Sequence, residues 1–515
     1  MTAIIEWDKD LRSVQEMRLA VAKAKEAQHI FAGFSQQQVD RIVKAMADAA
    51  FEQASKLAHM AVEETGLGVY EHKVIKNQVA ARDVYESIRD VKTVGIVNEN
   101  REEQIVEVAS PFGVIAGIVP TTNPTSTAIF KSLIAVKARN AIVFSPHPAA
   151  AKCTVEAARV CMQAAREAGA PDGLIGWITE PTMEATEGLM KHPDVHLILA
   201  TGGSGLVKAA YSSGKPAYGV GPGNAPVYIE RSADISQSVK RIVDSKTFDN
   251  GTICASEQAV IVDQQVRHLV VHQFKNNGAY FLNEAEKKKV EAVMTLAPGK
   301  LNPKIVGKSA TVIAQMAGIT VPEKTRLLIA EETEVGKHIP FSIEKLSPLF
   351  AFYTVRDWQE AVDLCKQLLA LGGRGHTLAI HTRDDGVARR FAEEIPVSRI
   401  VVNTPAALGA VGATTHLKPS YTLGCGTFGG NITSDNITVH HLINLKRMAY
   451  GIRDIDIPRP GTDSLPERRG EKGGHNKAVE VQQVVEKVLV EEGKVGRVDK
   501  EMVTQLVQEV LAKLG

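Results

Sequence analysis

The stretch TFDNGTICASEQAVIV, residues 247–262, sets Cys254 between a small, polar, glycine-containing turn and Ala259-Val260-Ile261-Val262, a run with the composition of a buried strand. Such a thiol either packs in the core or is held at the mouth of a pocket as a nucleophile. The remaining cysteines, at 153, 161, 365 and 425, have other contexts. Cys153 and Cys161 fall in an expected helix and Cys365 in the helical run AVDLCKQLLA, which suits packing, whereas Cys425 lies in the loop TLGCGTFGG, which could line a pocket. No neighbouring His or Lys in the sequence would draw a proton from Cys254, and an ionised Glu257 would oppose the thiolate.

Three further stretches carry chemistry-bearing groups. LATGGSGLVKAA, 199–210, reads as a strand end, a glycine-rich turn and a helix start, which aims backbone N–H groups at a phosphate. The strict G-x-G-x-x-G spacing fails because Lys208 stands where the third glycine would be, so a plain tight turn is the alternative. FSPHPAAAK, 144–152, is a second strand end, from which Ser145 and His147 could reach a ribose or an adenine; a proline-stiffened loop is the alternative. In PTTNPTS, 120–126, the amide of Asn123 can donate to a developing oxyanion, or Asn-Pro simply makes a turn.

These groups need elements to position them. Residues 1–90 have helical periodicity, with Ser35 placed as an N-cap. Two strand-like runs flank NENREE and predict a hairpin over 94–112. From 113, short apolar runs alternate with helical segments, the signature of βαβ units and a parallel sheet. The strands expected there are GVIAGIVP, AIVFS, LIGWIT and VHLILATG, with helices at 125–139, 149–168, 183–191 and 205–213. The alternation resumes beyond Cys254, with strands at 258–262, 326–330, 377–381 and 399–402, and predicts a second α/β lobe. Residues 457–476, rich in Pro, Gly and charge, read as a linker. Beyond it, 477–515 holds two amphipathic segments, and in the second Met502, Val503, Leu506, Val507, Val510, Leu511 and Leu514 share one helical stripe.

Composition narrows the function. The chain has 515 residues, 60 Lys plus Arg against 59 Asp plus Glu, and a formal net charge of +1. That balance argues against a protein built mainly to bind nucleic acid. An odd cysteine count without C-x-x-C or Cys/His zinc spacing points away from a disulfide framework or structural metal and toward a reducing interior. No signal peptide is visible in MTAIIEWDKD, and the longest apolar zone is too broken by Pro and polar residues for a membrane span.

Taken in order, PTTNPT, TGGSG, YGVGPGNAP, GTICASEQ, EKLSPLF and TLGCGTFGGNITSDNITVHHLIN resemble the aldehyde dehydrogenase superfamily, and within it the CoA-acylating enzymes, over residues 1–455. The resemblance implies an α/β fold with two parallel-sheet lobes, an oligomerisation hairpin and, beyond the matched region, a helical C-terminal tail. The implied boundaries are a cofactor domain at 1–222 interrupted by the hairpin 94–112, a catalytic domain at 223–435 and an oligomerisation segment at 436–456. It implies that Cys254 is the nucleophile and that Asn123, with the Cys254 backbone N–H, stabilises the oxyanion. On the cofactor side it implies Glu344 for the nicotinamide ribose and Gly202, Gly203, Ser204 and Gly205 for the pyrophosphate. Further cofactor contacts are Pro120, Thr121, Thr122, Ser145, Pro146, His147, Gly219, Val220, Gly221 and Leu346.

Two departures refine this expectation. Gly219 stands where hydrolytic relatives have the Glu that activates water, so the acyl-enzyme would await a thiol, coenzyme A. Ser145 stands where many hydrolytic members have a Lys, which favours NAD over NADP. The expected enzyme is an NAD-dependent acylating dehydrogenase of a short aldehyde, acetaldehyde or propionaldehyde, acting as a homo-oligomer, a dimer or a tetramer. A hydrolytic semialdehyde dehydrogenase and a scaffold acting through its tail are the alternatives. The stripe of the tail either packs back on the same chain or a partner subunit, or, as the same resemblance implies, is an encapsulation signal for a bacterial microcompartment shell protein, with the enzyme in the cytoplasm, inside that compartment. As a signal the stripe would lie in a groove, and the tail's mixed-charge polar face is poorly suited to a membrane surface.

Overall fold

The computed structural model describes residues 8–455 and 457. The chain divides into two compact units, Met1–Met448 and Ala449–Gly515. The expected tail at 477–515, and the linker apart from residue 457, lie outside the described residues. No helix among the described residues is long and apolar enough to cross a membrane.

The first unit opens with helices Lys9–Phe31, Gln36–Glu52, Ala54–Thr65 and Tyr70–Gln78. Ser35 caps the second as expected: its hydroxyl accepts from the Gln38 N–H while the Gln38 side chain accepts from the Ser35 N–H. The helix Tyr70–Gln78 turns a polar face inward, burying Lys73, Lys76 and Asn77 at helical spacing. That inversion of the usual pattern foreshadows a buried charge network.

The expected hairpin is present as the antiparallel strands Gly95–Asn100 and Ile105–Pro111. Ile443–Ala449 extends it to three strands. Residues 114–220 build a five-stranded parallel sheet in the order Ile175–Trp177, Ala141–Pro146, Val114–Val119, Val195–Thr201, Ala217–Val220. The chain grows outward from Val114–Val119 on one side, then returns to the other, so the topological switch lies between Val114–Val119 and Val195–Thr201. Ligands of such sheets bind beyond the carboxyl ends of the strands at that crevice. Both Val114–Val119 and Ala141–Pro146 are buried along their whole length, which explains their unbroken apolar character.

A second parallel sheet follows, in the order Ala279–Phe281, Leu327–Glu331, Leu349–Val355, Glu257–Asp263, Ala225–Ile229, Gly375–His381, Val397–Val402. Two α/β lobes were expected, and the structure has them. Several strands were not foreseen, among them Ala217–Val220, Ala225–Ile229 and Leu349–Val355. Each is bordered by Gly or Pro in the sequence, so local punctuation masked strands that pairing with distant segments sustains.

Asn224 shows how the second sheet is anchored. Its buried side-chain N–H₂ donates to the carbonyls of Ser342 (2.8 Å) and Leu368 (3.0 Å), tying three distant segments at the head of Ala225–Ile229. Asn224→Ala strands both carbonyls, and the expected loss is about 2–3 kcal/mol of unfolding free energy by urea denaturation.

Candidate active site

Gly223, Cys254, Glu344 and His376 stand at the entrances to Ala225–Ile229, Glu257–Asp263, Leu349–Val355 and Gly375–His381. Those strands are adjacent and parallel, so their starts share one end of the sheet. Residues separated by up to 153 positions in sequence, from Gly223 to His376, thereby become neighbours.

His376 Nε2 lies 3.1 Å from Cys254 Sγ. His376 is fully buried, whereas Cys254 is only partly so, and the other four cysteines are buried. Burial, with Arg399 nearby, pulls the imidazole down to about 3. Burial, with Glu344 and Cys425 nearby, pushes the Cys254 thiol up to about 12. The resting pair is therefore neutral thiol and neutral imidazole. For the thiol to donate, Nε2 must carry the lone pair, and Nδ1–H then donates to the Thr377 hydroxyl at 3.0 Å. This arrangement suits base-assisted attack, in which Nε2 takes the proton as sulfur bonds to carbon.

Sequence reading found no partner for Cys254 because His376 is 122 residues away. Its only local signal was a polar residue opening the apolar run HTLAI. The group opposing ionisation also differs from expectation. Glu257 is buried, accepts from the Ala406 N–H at 2.9 Å and is itself pushed up to about 7 by burial. The thiolate is disfavoured first by burial, and beyond that by Glu344 once that acid ionises.

Gly223 permits the close approach of these loops. A Cβ there would sit 2.2 Å from the Cys254 carbonyl oxygen and 3.3 Å from the His376 ring. Arg399, buried, donates to the carbonyls of His376 (3.1 Å) and Gly424, fixing the loop that carries Cys425. Cys254 packs, partly buried, against an apolar cluster that includes Val220, Phe248, Ala407, Val411, Leu423 and Cys425.

Asn123 faces this loop across the switch point. Its Nδ2 donates to the carbonyl of Thr252 (3.3 Å) and to Thr122 Oγ1 (3.1 Å), while Oδ1 accepts from Lys76 Nζ (2.6 Å). The structure thus brings Asn123, on the loop Pro120-Thr121-Thr122, to the nucleophile loop.

The glycine-rich turn follows Val195–Thr201 at the same crevice and opens the helix Ser204–Tyr211. A Cβ on Gly203 or Gly205 would meet nothing within 4 Å, so the backbone there is uncovered and suits a pyrophosphate. Glu344 accepts from the Gly223 N–H at 2.9 Å, and burial pushes it up to about 8. Leu346 adopts a left-handed φ of 47°. Ser145 requires correction: it turns inward, buried, and shares a 2.7 Å hydrogen bond with Thr186, because residues of a parallel strand alternate faces. Pro146 is buried too, whereas His147 is exposed and caps the next turn through Nδ1. Gly219 lies in a strand beside Val220 and Gly221, and its missing side chain is replaced by others: a Cβ would be 2.9 Å from Val207 and 3.0 Å from Tyr211.

A profile of the Aldehyde dehydrogenase family matches residues 9–289. The chain belongs to the aldehyde dehydrogenase family. It is 59% identical to an acetylating aldehyde dehydrogenase of Geobacillus thermoglucosidasius, whose structure superposes with a TM-score of 0.86 over 88% of this chain and 100% of that one. It is 50% identical, over 85% of this chain, to the bifunctional aldehyde-alcohol dehydrogenase AdhE of Escherichia coli (strain K12), and spans about half, 50%, of that protein's length. The propionaldehyde dehydrogenase of the Clostridium phytofermentans fucose utilisation bacterial microcompartment is 30% identical, with a TM-score of 0.77 over 84% of this chain and 97% of that chain. The resemblance carried by the motifs therefore holds, as does the α/β fold it implied. In this aldehyde dehydrogenase the nucleophile's proton has a single imidazole as its nearest acceptor.

The neutral pair has a measurable consequence. Inactivation by iodoacetamide should quicken with pH and show no plateau below about pH 10, as the thiol at about 12 begins to ionise. A thiolate–imidazolium pair would instead give a rate already level from about pH 5 upward.

Proposed function

We propose that the chain oxidises a short-chain aldehyde with NAD and transfers the acyl group to coenzyme A. The observation that carries this reading is Cys254 served by His376 at 3.1 Å, with the space beside Gly219 filled by Val207 and Tyr211, leaving no carboxylate there to activate water. The domain assignment follows: the five-stranded sheet holds the cofactor, the seven-stranded sheet carries the nucleophile, and the three-stranded sheet joins subunits. Exposed Ile96, Leu445 and Met448 on that last sheet support self-association.

His376 Nε2 accepts the thiol proton as Cys254 Sγ adds to the aldehyde carbon. The resulting oxyanion takes hydrogen bonds from Asn123 Nδ2 and the Cys254 backbone N–H. The nicotinamide, when bound through the turn at Gly202–Gly205 and Glu344, supplies the hydride acceptor. Cys254 then carries a thioester. His376 releases the first proton to solvent, then takes the proton of the incoming CoA thiol and returns it to Cys254 as that sulfur is displaced. Aldehyde, NAD and CoA thiol become acyl-CoA, NADH and one proton. The apolar cluster beside Cys254 suits an unbranched aliphatic aldehyde, and C2 and C3 chains differ by one methylene, which an apolar pocket resolves only weakly.

His376→Ala should lower kcat by about 10²–10⁴, as expected for loss of a general base, with NAD binding retained. The product settles the rest: with wild-type chain, acyl-CoA should form only when CoA is added, and free acid released at the same rate without CoA would make the enzyme hydrolytic.

The sequence of 457–515 and the microcompartment relative support a place for this enzyme inside such a compartment, through the apolar stripe from Met502 to Leu514. A fluorescent protein carrying residues 477–515 should be recruited to co-expressed shells. A diffuse signal would count against it.

A further inference from the structure

We propose that Lys76 is a positioning residue of the oxyanion hole: its ammonium fixes which end of the Asn123 amide faces the nucleophile loop and sets buried positive charge behind it. The two ends of an asparagine amide are nearly equal in shape, so a neighbour must decide the orientation. Lysine is such a neighbour, since its ammonium has three donors and no acceptor. Lys76 Nζ donates to Asn123 Oδ1 (2.6 Å), to Thr252 Oγ1 (3.0 Å) and to Asp249 Oδ2, so all its protons are used. With Oδ1 held from behind, Nδ2 must point toward the loop of Cys254, where it donates to the Thr252 carbonyl at 3.3 Å and to Thr122 Oγ1 at 3.1 Å, a hydroxyl bond it can exchange for an oxyanion.

The apparatus around Lys76 is built with care for charge. Asp249 Oδ2 also accepts from Lys73 Nζ (3.0 Å) and Thr252 Oγ1 (2.7 Å), and its Oδ1 accepts from the Val69 N–H (2.7 Å). Lys73, Lys76 and Asp249 are all buried, so two ammoniums face one carboxylate and the cluster carries net positive charge. Asp249 and Asn250 adopt left-handed φ of 51° and 52°, an uncommon conformation for such residues, which turns the carboxylate inward five residues ahead of Cys254. Gly68, at φ +80°, leaves room for it: a Cβ there would lie 2.0 Å from Asp249 Oδ1. Burial draws the Lys76 ammonium down to about 8 against the attraction of Asp249, which leaves it charged at neutral pH. In a low-polarity setting, an ammonium hydrogen-bonded to the amide oxygen strengthens the amide N–H as a donor.

The inference rests on Asn123 being the oxyanion donor of the reaction proposed above. A double-mutant cycle tests it, read as aldehyde-dependent NADH formation with and without CoA, so that failure here is distinct from an error about the acyl acceptor. Lys76→Met should lower kcat by about 10–100-fold, part of the loss typical of a missing oxyanion donor, with NAD affinity within about threefold. In the Asn123→Ala background the same substitution should cost less than about threefold, because the amide through which it acts is gone. Alkylation of Cys254 by iodoacetamide, which builds no carbonyl oxyanion, should stay within about threefold of wild type. Equal losses in both backgrounds, or alkylation falling in step with kcat, would make Lys76 a structural residue and overturn the proposal. Should Lys76→Met fail to fold, the pair Lys76→Met with Asp249→Asn removes one charge of each sign and carries the same cycle to the same two outcomes.

Discussion

Parallel pairing of Leu349–Val355, Glu257–Asp263, Ala225–Ile229 and Gly375–His381 is the constraint on which the site depends. Parallel neighbours begin at the same end of a sheet, so the residues just ahead of each strand gather there whatever their distance along the chain. Ala225–Ile229 lies between the strands led by Cys254 and His376, and Gly223 at its head is the spacer. The five-stranded sheet meets this edge with its carboxyl ends, where Asn123 and the glycine-rich turn emerge. Nucleophile and cofactor loops thus come from opposite ends of two different sheets.

Burying this much polarity demands partners. Lys246 donates to Gln258 at 2.9 Å, and Lys345 donates to the carbonyls of Phe341 and Ile343, both at 2.7 Å. Asp249 has four donors around it. Such networks are costly when incomplete and rigid when complete. They come from the helices Tyr70–Gln78 and Ile235–Thr247, the strand Glu257–Asp263 and the loop ahead of Leu349–Val355, on either side of Cys254 in the chain. The N-terminal helices therefore do more than cover a sheet: one of them reaches the oxyanion side of the site through Lys73 and Lys76.

Low polarity also sets how the thiol is used. A permanently ionised Cys254 would be a buried anion whose proton rests on an imidazole that burial disfavours charging. A neutral pair avoids both costs, and deprotonates only when sulfur has a carbonyl carbon to attack. On the reaction proposed above, the same imidazole would take the proton of a second thiol, that of coenzyme A.

The sequence by itself determined the alternation of strands and helices, the hairpin, the Ser35 cap, and Cys254 and Asn123 as residues of interest, because these follow from periodicity and short local motifs. The ordered motifs carried the family. Leu349–Val355 and Ala225–Ile229 escaped notice, since their Gly and Pro borders look like loops until neighbouring strands satisfy the backbone between them. Only tertiary structure decided that His376 lies beside Cys254, that burial holds Cys254 as a thiol, that Ser145 turns inward to Thr186, and that Lys76 reaches Asn123. Those pairings join residues 41 to 122 positions apart. A linear pattern records which face of an element is apolar, but strand order and the packing of one helix against a distant loop are what set a distance of 3 Å, and no local signal encodes them.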